Sequence, residues 1–191
     1  LLENDKQNPR YLTLVNRLLN LFENKILGNG NKIIREYLDQ SFKPSLVNSF
    51  IIEPGHHYEW AWLLNWSDKI HKSKKYGALT KTLFETGWRL GWDFNNGGVF
   101  DEFDCESNQV FRSSKRLWPL LELIKVLSVL SNNSHNDDLT SALTIILERY
   151  IQPNGIWIER FDQYWTAIDT AMPTSSIYHV AMTILELQAR K

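Results

Sequence analysis

The chain is short of several things, and each shortage excludes a class of protein. It has one cysteine, Cys105, in 191 residues, so no internal disulfide is available and a reducing cytoplasm is the expected compartment. It has no charge excess: 21 basic and 22 acidic residues leave a net charge of −1. Neither nucleic acid nor an anionic membrane is therefore an expected partner. Its apolar runs are much shorter than a membrane span, and no signal-peptide pattern opens it. There is no glycine-rich phosphate loop. His56 and His57 are adjacent rather than four apart, and no Cys/His cluster has ligand spacing, so the sequence predicts neither a metal nor an organic cofactor.

Aromatic residues, by contrast, are abundant. Eight Trp, seven Tyr and nine Phe make up 13% of the chain, a surplus that suits a ligand cleft as well as core packing. The length is right for one substantial core, a single domain over residues 1–191. The first residues, LLENDKQNPRYL, read as the middle of a helix, so an upstream extension is expected.

Helical periodicity dominates. Apolar residues three and four apart predict helices over 9–27, 55–72 and 75–92, the first opened by Pro9. Ser113-Ser114 are expected to cap a long helix through LWPLLELIKVLSVL, with Pro119 tolerated in its first turns. A fifth helix is expected from Asp137-Asp138 to near Tyr150, and a last one from Thr174 or Ser175 onward. Between the members of each helix pair lies a similar loop: NGNKIIREYLD from Asn29, NGGVFDEFD from Asn96 and NGIWIERFD from Asn154. Asn-Gly followed by alternation predicts a tight turn into a short strand or hairpin. The unit is helix, hairpin-like loop, helix, three times over, and such units bury their apolar faces only by stacking. The fold class read from this is all-α, a solenoid or α/α toroid of helical hairpins with short β-hairpin-like loops.

The richest stretch for chemistry is EPGHHYEWAWLLNW. Pro54-Gly55 deliver His56 and His57 onto the first turn of an aromatic-rich helix, and Glu59 shares a face with His56. The positive end of the helix dipole disfavours imidazolium, which predicts a neutral His56 able to accept a proton. Trp60 belongs to the same cluster, and His57 points a quarter-turn away. A second candidate is Tyr178-His179, near the start of the last helix. A third is SKRLWPLLE, where Arg116, Trp118 and Glu122 are suited to a sugar ring, Trp118 and Glu122 lying four apart. The acids Asp101 and Asp104 match the two carboxylates of a glycosidase, but acids recur at the same loop positions, Glu36 and Asp39, Glu159 and Asp162. They read mainly as repeat architecture.

EPGHHYEWAWLL, GGVFDEFD, SKRLWPLLE and SSIYHV, in this order, resemble the C-terminal half of the N-acylglucosamine 2-epimerase family, which includes cellobiose epimerases and isomerases acting on mannose-type sugars. The resemblance implies about half of an (α/α)6 barrel, three hairpins of six. It implies acid/base roles for His56 and His179, with Glu59 orienting the first. Trp118 falls in a family motif usually written with two tryptophans, where this chain has Leu117. Trp118, Glu122, Arg116, Trp60 and His57 are the expected sugar-binding residues. The implied reaction moves a proton at the second carbon of an aldose through an enediolate, with a monosaccharide substrate and no cofactor. A homodimer or an N-terminal half is expected to cover the open side. The alternatives from the residues themselves are an (α/α)6 glycoside hydrolase or a non-catalytic sugar- or protein-binding module.

Overall fold

The computed structural model describes Asp5 and residues 8–27, 32–130, 135–169 and 171–189. The expected Asn29-Gly30 turn lies outside them. Helix α1 spans Pro9–Leu21, with Asn8 accepting from the Arg10 N–H as its cap. It ends in a π turn over Phe22–Ile26 that buries Phe22. Strand β1 (Ile51–Ile52) leads into α2 (Pro54–His71), which is closed by Lys72 in the left-handed conformation. Next come α3 (Gly77–Gly91), β2 (Glu102–Asp104), β3 (Gln109–Arg112) and β4 (Lys115–Arg116). They are followed by α4 (Leu117–Leu130) and α5 (Asn136–Ile145), the latter continued by a π turn over Ile146–Tyr150. Strands β5 (Arg160–Phe161) and β6 (Ala167–Asp169) precede α6 (Thr174–Ala189).

Helix α4 is buried on nearly all sides, from Leu117 through Ser128, as its almost uninterrupted apolar sequence requires. It packs against α2, α5 and α6, while α3 lies on α2. The α2–α3 crossing is close because Gly87 and Gly91 face it. A Cβ at Gly91 would come 2.3 Å from Pro54 Cβ, and one at Gly87 would come 2.8 Å from the Tyr58 ring. The core continues through Tyr58, Trp62, Leu83, Leu120, Leu123 and Tyr150. Among the described residues no helix is long and apolar enough to cross a membrane.

Two expectations are corrected. The molecule is mostly helical but not all-α, because the loops assemble two three-stranded antiparallel sheets, β1–β2–β3 and β4–β5–β6. Each sheet joins successive repeats: Ile51 pairs with Asp104, and Lys115 with Phe161. A lone hairpin would leave both edges unpaired, and crossing to the next loop satisfies one of them. The Asn-Gly turns do form where they are described, closed by the bridges Trp92–Val99 and Ile151–Trp157 with Gly97 and Gly155 at positive φ. Ser113-Ser114 do not cap a helix, since Lys115 and Arg116 continue in strand β4. Ser114 instead donates its hydroxyl to Asp101. The sheets therefore seat the starts of α2 and α4 side by side, with α6 following β6.

Candidate active site

Pro54 occupies the first turn of α2, where its missing N–H costs nothing, and His56 follows in the same turn. The close approach of α4 depends on Gly55. A Cβ there would lie 2.5 Å from Cη2 of Trp118 and 3.0 Å from Cβ of Pro119. Gly55→Ala is expected to cost about 1–3 kcal/mol by overpacking and to displace the indole. A urea midpoint equal to wild type would show that α4 can yield.

The space so formed is a cleft of about 440 Å³ lined by His56, Glu59, Arg116, Trp118, Glu159 and His179, with Arg160, Asp169 and Ser175 toward one side. Trp118 lies between the two histidines, its ring 5.0 Å from that of His56 and 5.4 Å from that of His179. Both imidazoles are anchored the same way. His56 Nδ1 is 2.8 Å from Glu36 Oε2, and His179 Nδ1 is 2.6 Å from Glu122 Oε1. A carboxylate accepts the Nδ1 proton, which leaves Nε2 of each ring for a ligand. Arg116 is clamped, its Nη2 2.9 Å from Glu53 and its Nε 2.8 Å from Asp101.

The predicted residues divide accordingly. His56, Glu59, Arg116, Trp118 and His179 come together on the cleft. Glu122 does not contact it. It is fully buried behind His179 and forms an ion pair with Lys125 at 2.8 Å. Trp60 points away and stacks on Phe22, with ring centroids 3.6 Å apart. His57 also points away: it is fully buried, and its Nε2 accepts the Ile34 N–H at 3.1 Å. The quarter-turn that separates consecutive helical residues puts His57 in the core and Trp60 on the apolar groove beside α1. Glu59 is not the hydrogen-bonded partner of His56. Glu36 holds that place, and Glu59 acts on both histidines through its charge. Burial, followed by the Glu122 charge, raises the Glu59 carboxyl above its usual range.

The electrostatics of His56 run opposite to the direction expected from the helix start alone. Burial is the largest single influence and pushes its pKa down, but the Glu36 hydrogen bond and the charges of Glu36, Glu53 and Glu59 outweigh it, and the net direction is up. The His56 interactions therefore stabilise the fold fully below the ordinary histidine value, and that contribution is lost as pH rises through the raised midpoint. His57 has the opposite sign. Burial lowers it to about 4, so the unfolded chain takes up a proton near pH 6.5 while the folded chain does not. Stability should fall by about 3 kcal/mol as pH drops from about 6.5 to about 4. His57→Gln keeps an acceptor for Ile34 without a titrating ring, so its unfolding free energy should vary less over that window. Equal slopes in the two proteins would refute the assignment.

The loop acids split into two roles. Asp39, Asp104 and Asp162 each accept two backbone N–H groups from the turn that follows, as repeat architecture requires. The acids three positions earlier line the site or hold its residues from behind. Glu36 holds His56, Asp101 holds Arg116, and Glu159 accepts from Ser176 Oγ at 2.9 Å. Backbone N–H groups of all three bond to the segment before the next helix, at Ile51, Ser114 and Asp169. Asp101 is 1% exposed and bound by Arg116, and Asp104 is committed to its turn, so both carboxylates of the expected glycosidase pair are already engaged. Glu36, Glu53 and His56 each bring a ligand atom within 4.8 Å of the others, a grouping that adjacent-histidine spacing does not reveal. Here His56 is taken by Glu36, and Glu53 by Arg116.

The helical fold is shared with solved structures of a sugar isomerase and of sugar epimerases. The crystal structure of D-mannose isomerase superposes with a TM-score of 0.81 at 21% identity, over 97% of this chain and 52% of that one. The cellobiose 2-epimerase from Bacillus thermoamylovorans B4167 gives 0.77 at 15% identity, over 97% and 48%. That likeness defines the fold. The sequence itself goes further: residues 1–183 match the model of the N-acylglucosamine 2-epimerase (GlcNAc 2-epimerase) family, and the chain belongs to that family. Among curated relatives, the mannose-6-phosphate isomerase of Rhizobium meliloti (strain 1021) is 26% identical over 93% of this chain and 48% of its own length. The D-mannose isomerase of Marinomonas mediterranea (strain ATCC 700492 / JCM 21426 / NBRC 103028 / MMB-1) is 30% identical over 49% of this chain and 26% of its own. The chain spans about half the length of the first of these relatives and of the solved structures it matches.

Proposed function

We propose that this chain carries the proton-transfer half of a sugar isomerase or 2-epimerase, acting on a mannose-type aldose. The observation that supports it best is the pair of imidazoles flanking Trp118, each held through Nδ1 by a carboxylate. On this reading, one histidine removes the proton from the second carbon of the open-chain sugar and an enediolate forms. Proton return to the first carbon gives the ketose, and return to the opposite face of the second carbon gives the epimer. Trp118 offers an apolar face for the sugar, and Arg116 a fixed donor beside it.

The cleft favours an uncharged sugar over a phosphorylated one. Its acids are Glu59, Glu159 and Asp169. Arg116 is spent on Glu53 and Asp101, and Arg160 Nε lies 3.8 Å from Asp101. A phosphate dianion would face these acids and would have to compete with Glu53 and Asp101 for Arg116.

The same reading makes residues 1–191 one domain, half of an (α/α)6 toroid. The remaining half-length of its relatives would cover the apolar groove between α1 and α2, where Leu14, Leu18, Trp60 and Trp66 lie.

The test is mannose in deuterated water, with the chain assayed as it stands. Deuterium should enter at the second carbon and fructose or glucose should accumulate, slowly, while mannose 6-phosphate stays unchanged. Absence of exchange above buffer, or release of reducing ends from an oligosaccharide instead, would overturn the reading.

A further inference from the structure

We infer that Lys125 is a positioning residue for His179: its buried ammonium balances the charge of Glu122, so that the carboxylate orients the imidazole without locking it in the protonated form. The inference rests on His179 being one of the proton-transfer groups.

Lys125 and Glu122 are both fully buried, one helical turn apart on α4, with Nζ 2.8 Å from Oε2. The other carboxylate oxygen, Oε1, is the one that meets His179 Nδ1 at 2.6 Å. One carboxylate thus stands between two groups able to carry positive charge. The lysine has little else to hold. Its Nζ has no hydrogen-bond partner among the described residues, and its contact with Glu122 is an ion pair rather than an aligned hydrogen bond. It sits over the Trp62 ring at 4.0 Å and near that of Tyr178 at 5.8 Å. Trp62 is in turn fixed by donating to Glu186 at 2.8 Å. This is a desolvated, cation-stabilising seat aimed at one carboxylate.

Without a compensating cation, a buried carboxylate pairs most stably with an imidazolium, and a histidine held that way cannot take a proton from a sugar. With Lys125 supplying the positive charge, the neutral ring is compatible with an ionised Glu122. His179 shares its cleft with His56 and Glu59 from α2, with Arg116 and Trp118, and with Glu159, Arg160 and Asp169 from the last loop, and Tyr178 lies beside it on its own helix. Of the three acids, Glu59 is the one whose charge is coupled to that of His179, and all three are present in both proteins compared below.

The experiment is an NMR titration of the His179 imidazole in this chain, assigned with His179→Asn. It reads the ring without any sugar turnover. In Lys125→Met the midpoint should rise by about one pH unit, and in Lys125→Arg it should stay close to wild type. An unchanged midpoint in folded Lys125→Met would overturn the inference. If that variant does not fold, Glu122→Gln is compared with Glu122→Gln/Lys125→Met, in which no buried carboxylate is stranded. Loss of the facing cation should again raise the midpoint, and equal values would refute the role. A shifted titration together with proton exchange that persists in His179→Asn would uphold the lysine's effect and sink the function proposed for the histidine.

Discussion

Replacing His179 with Asn should lower exchange of the second-carbon proton of mannose by about 10²–10⁴-fold, the usual worth of a general acid or base, and His56→Asn should do the same. Asn is the informative substitution at both places. Each histidine offers its Nδ1 proton to a carboxylate, Glu36 or Glu122, and an asparagine amide can still donate there. The carboxylate keeps a partner while the ring nitrogen facing the sugar is gone. Stability should therefore change far less than exchange. Thermal unfolding of both variants should be followed beside deuterium incorporation into mannose. Full exchange in both variants would remove the histidines from the mechanism, whatever the fate of the ketose.

The second large effect concerns stability. Lys115→Met should cost about 3–5 kcal/mol, the range for stranding one partner of a buried ion pair, out of a typical total of about 5–15. Lys115 is fully buried. Its ammonium lies 2.8 Å from Asp93 Oδ2, 2.7 Å from the Gly97 carbonyl and 3.0 Å from the Gln163 carbonyl, with the Trp165 ring 4.5 Å away. Those carbonyls belong to the loops of two different repeats, so one side chain pins the hairpin region after α3 to that before α6. It is also the residue next to Arg116, and losing the pin frees the strand that presents Arg116 to the cleft. Urea unfolding measures the cost. A loss below about 1 kcal/mol would mean that the cage contributes little beyond packing. Asp93→Asn/Lys115→Met, which removes both charges, should recover part of the loss.

Much of this was legible in the chain. Pro9, Pro54 and the run LWPLLELIKVLSVL announce their helices, because helix starts and apolar periodicity are local signals. The three similar loops announce a repeated unit, and Gly97 and Gly155 take the positive φ that Asn-Gly turns need. His56, Arg116, Trp118 and His179, singled out by their motifs, meet on one cleft. Trp60 and His57 were not separable from the site by sequence. On a helix whose histidines and tryptophans fall on several faces, only the packing of neighbours decides which side is core. The loop acids carried a readable signal in their shared position, Glu36, Asp101 and Glu159, yet the same acids served equally well as turn residues until their strands were placed.

The sequence by itself determined the helical hairpins, their threefold repetition and the family to which they belong, since these depend on spacing within one stretch of chain. Tertiary structure alone decided which carboxylate meets which histidine. Glu36 reaches His56 from a preceding loop, and Glu122 reaches His179 from a helix 57 residues away. It also decided the direction in which the His56 pKa moves, where three acids gathered from two repeats outweigh burial and oppose what the helix start alone would favour. Charges act through space and fall off with distance, so residues remote along the chain set the chemistry of a site that local spacing only announces.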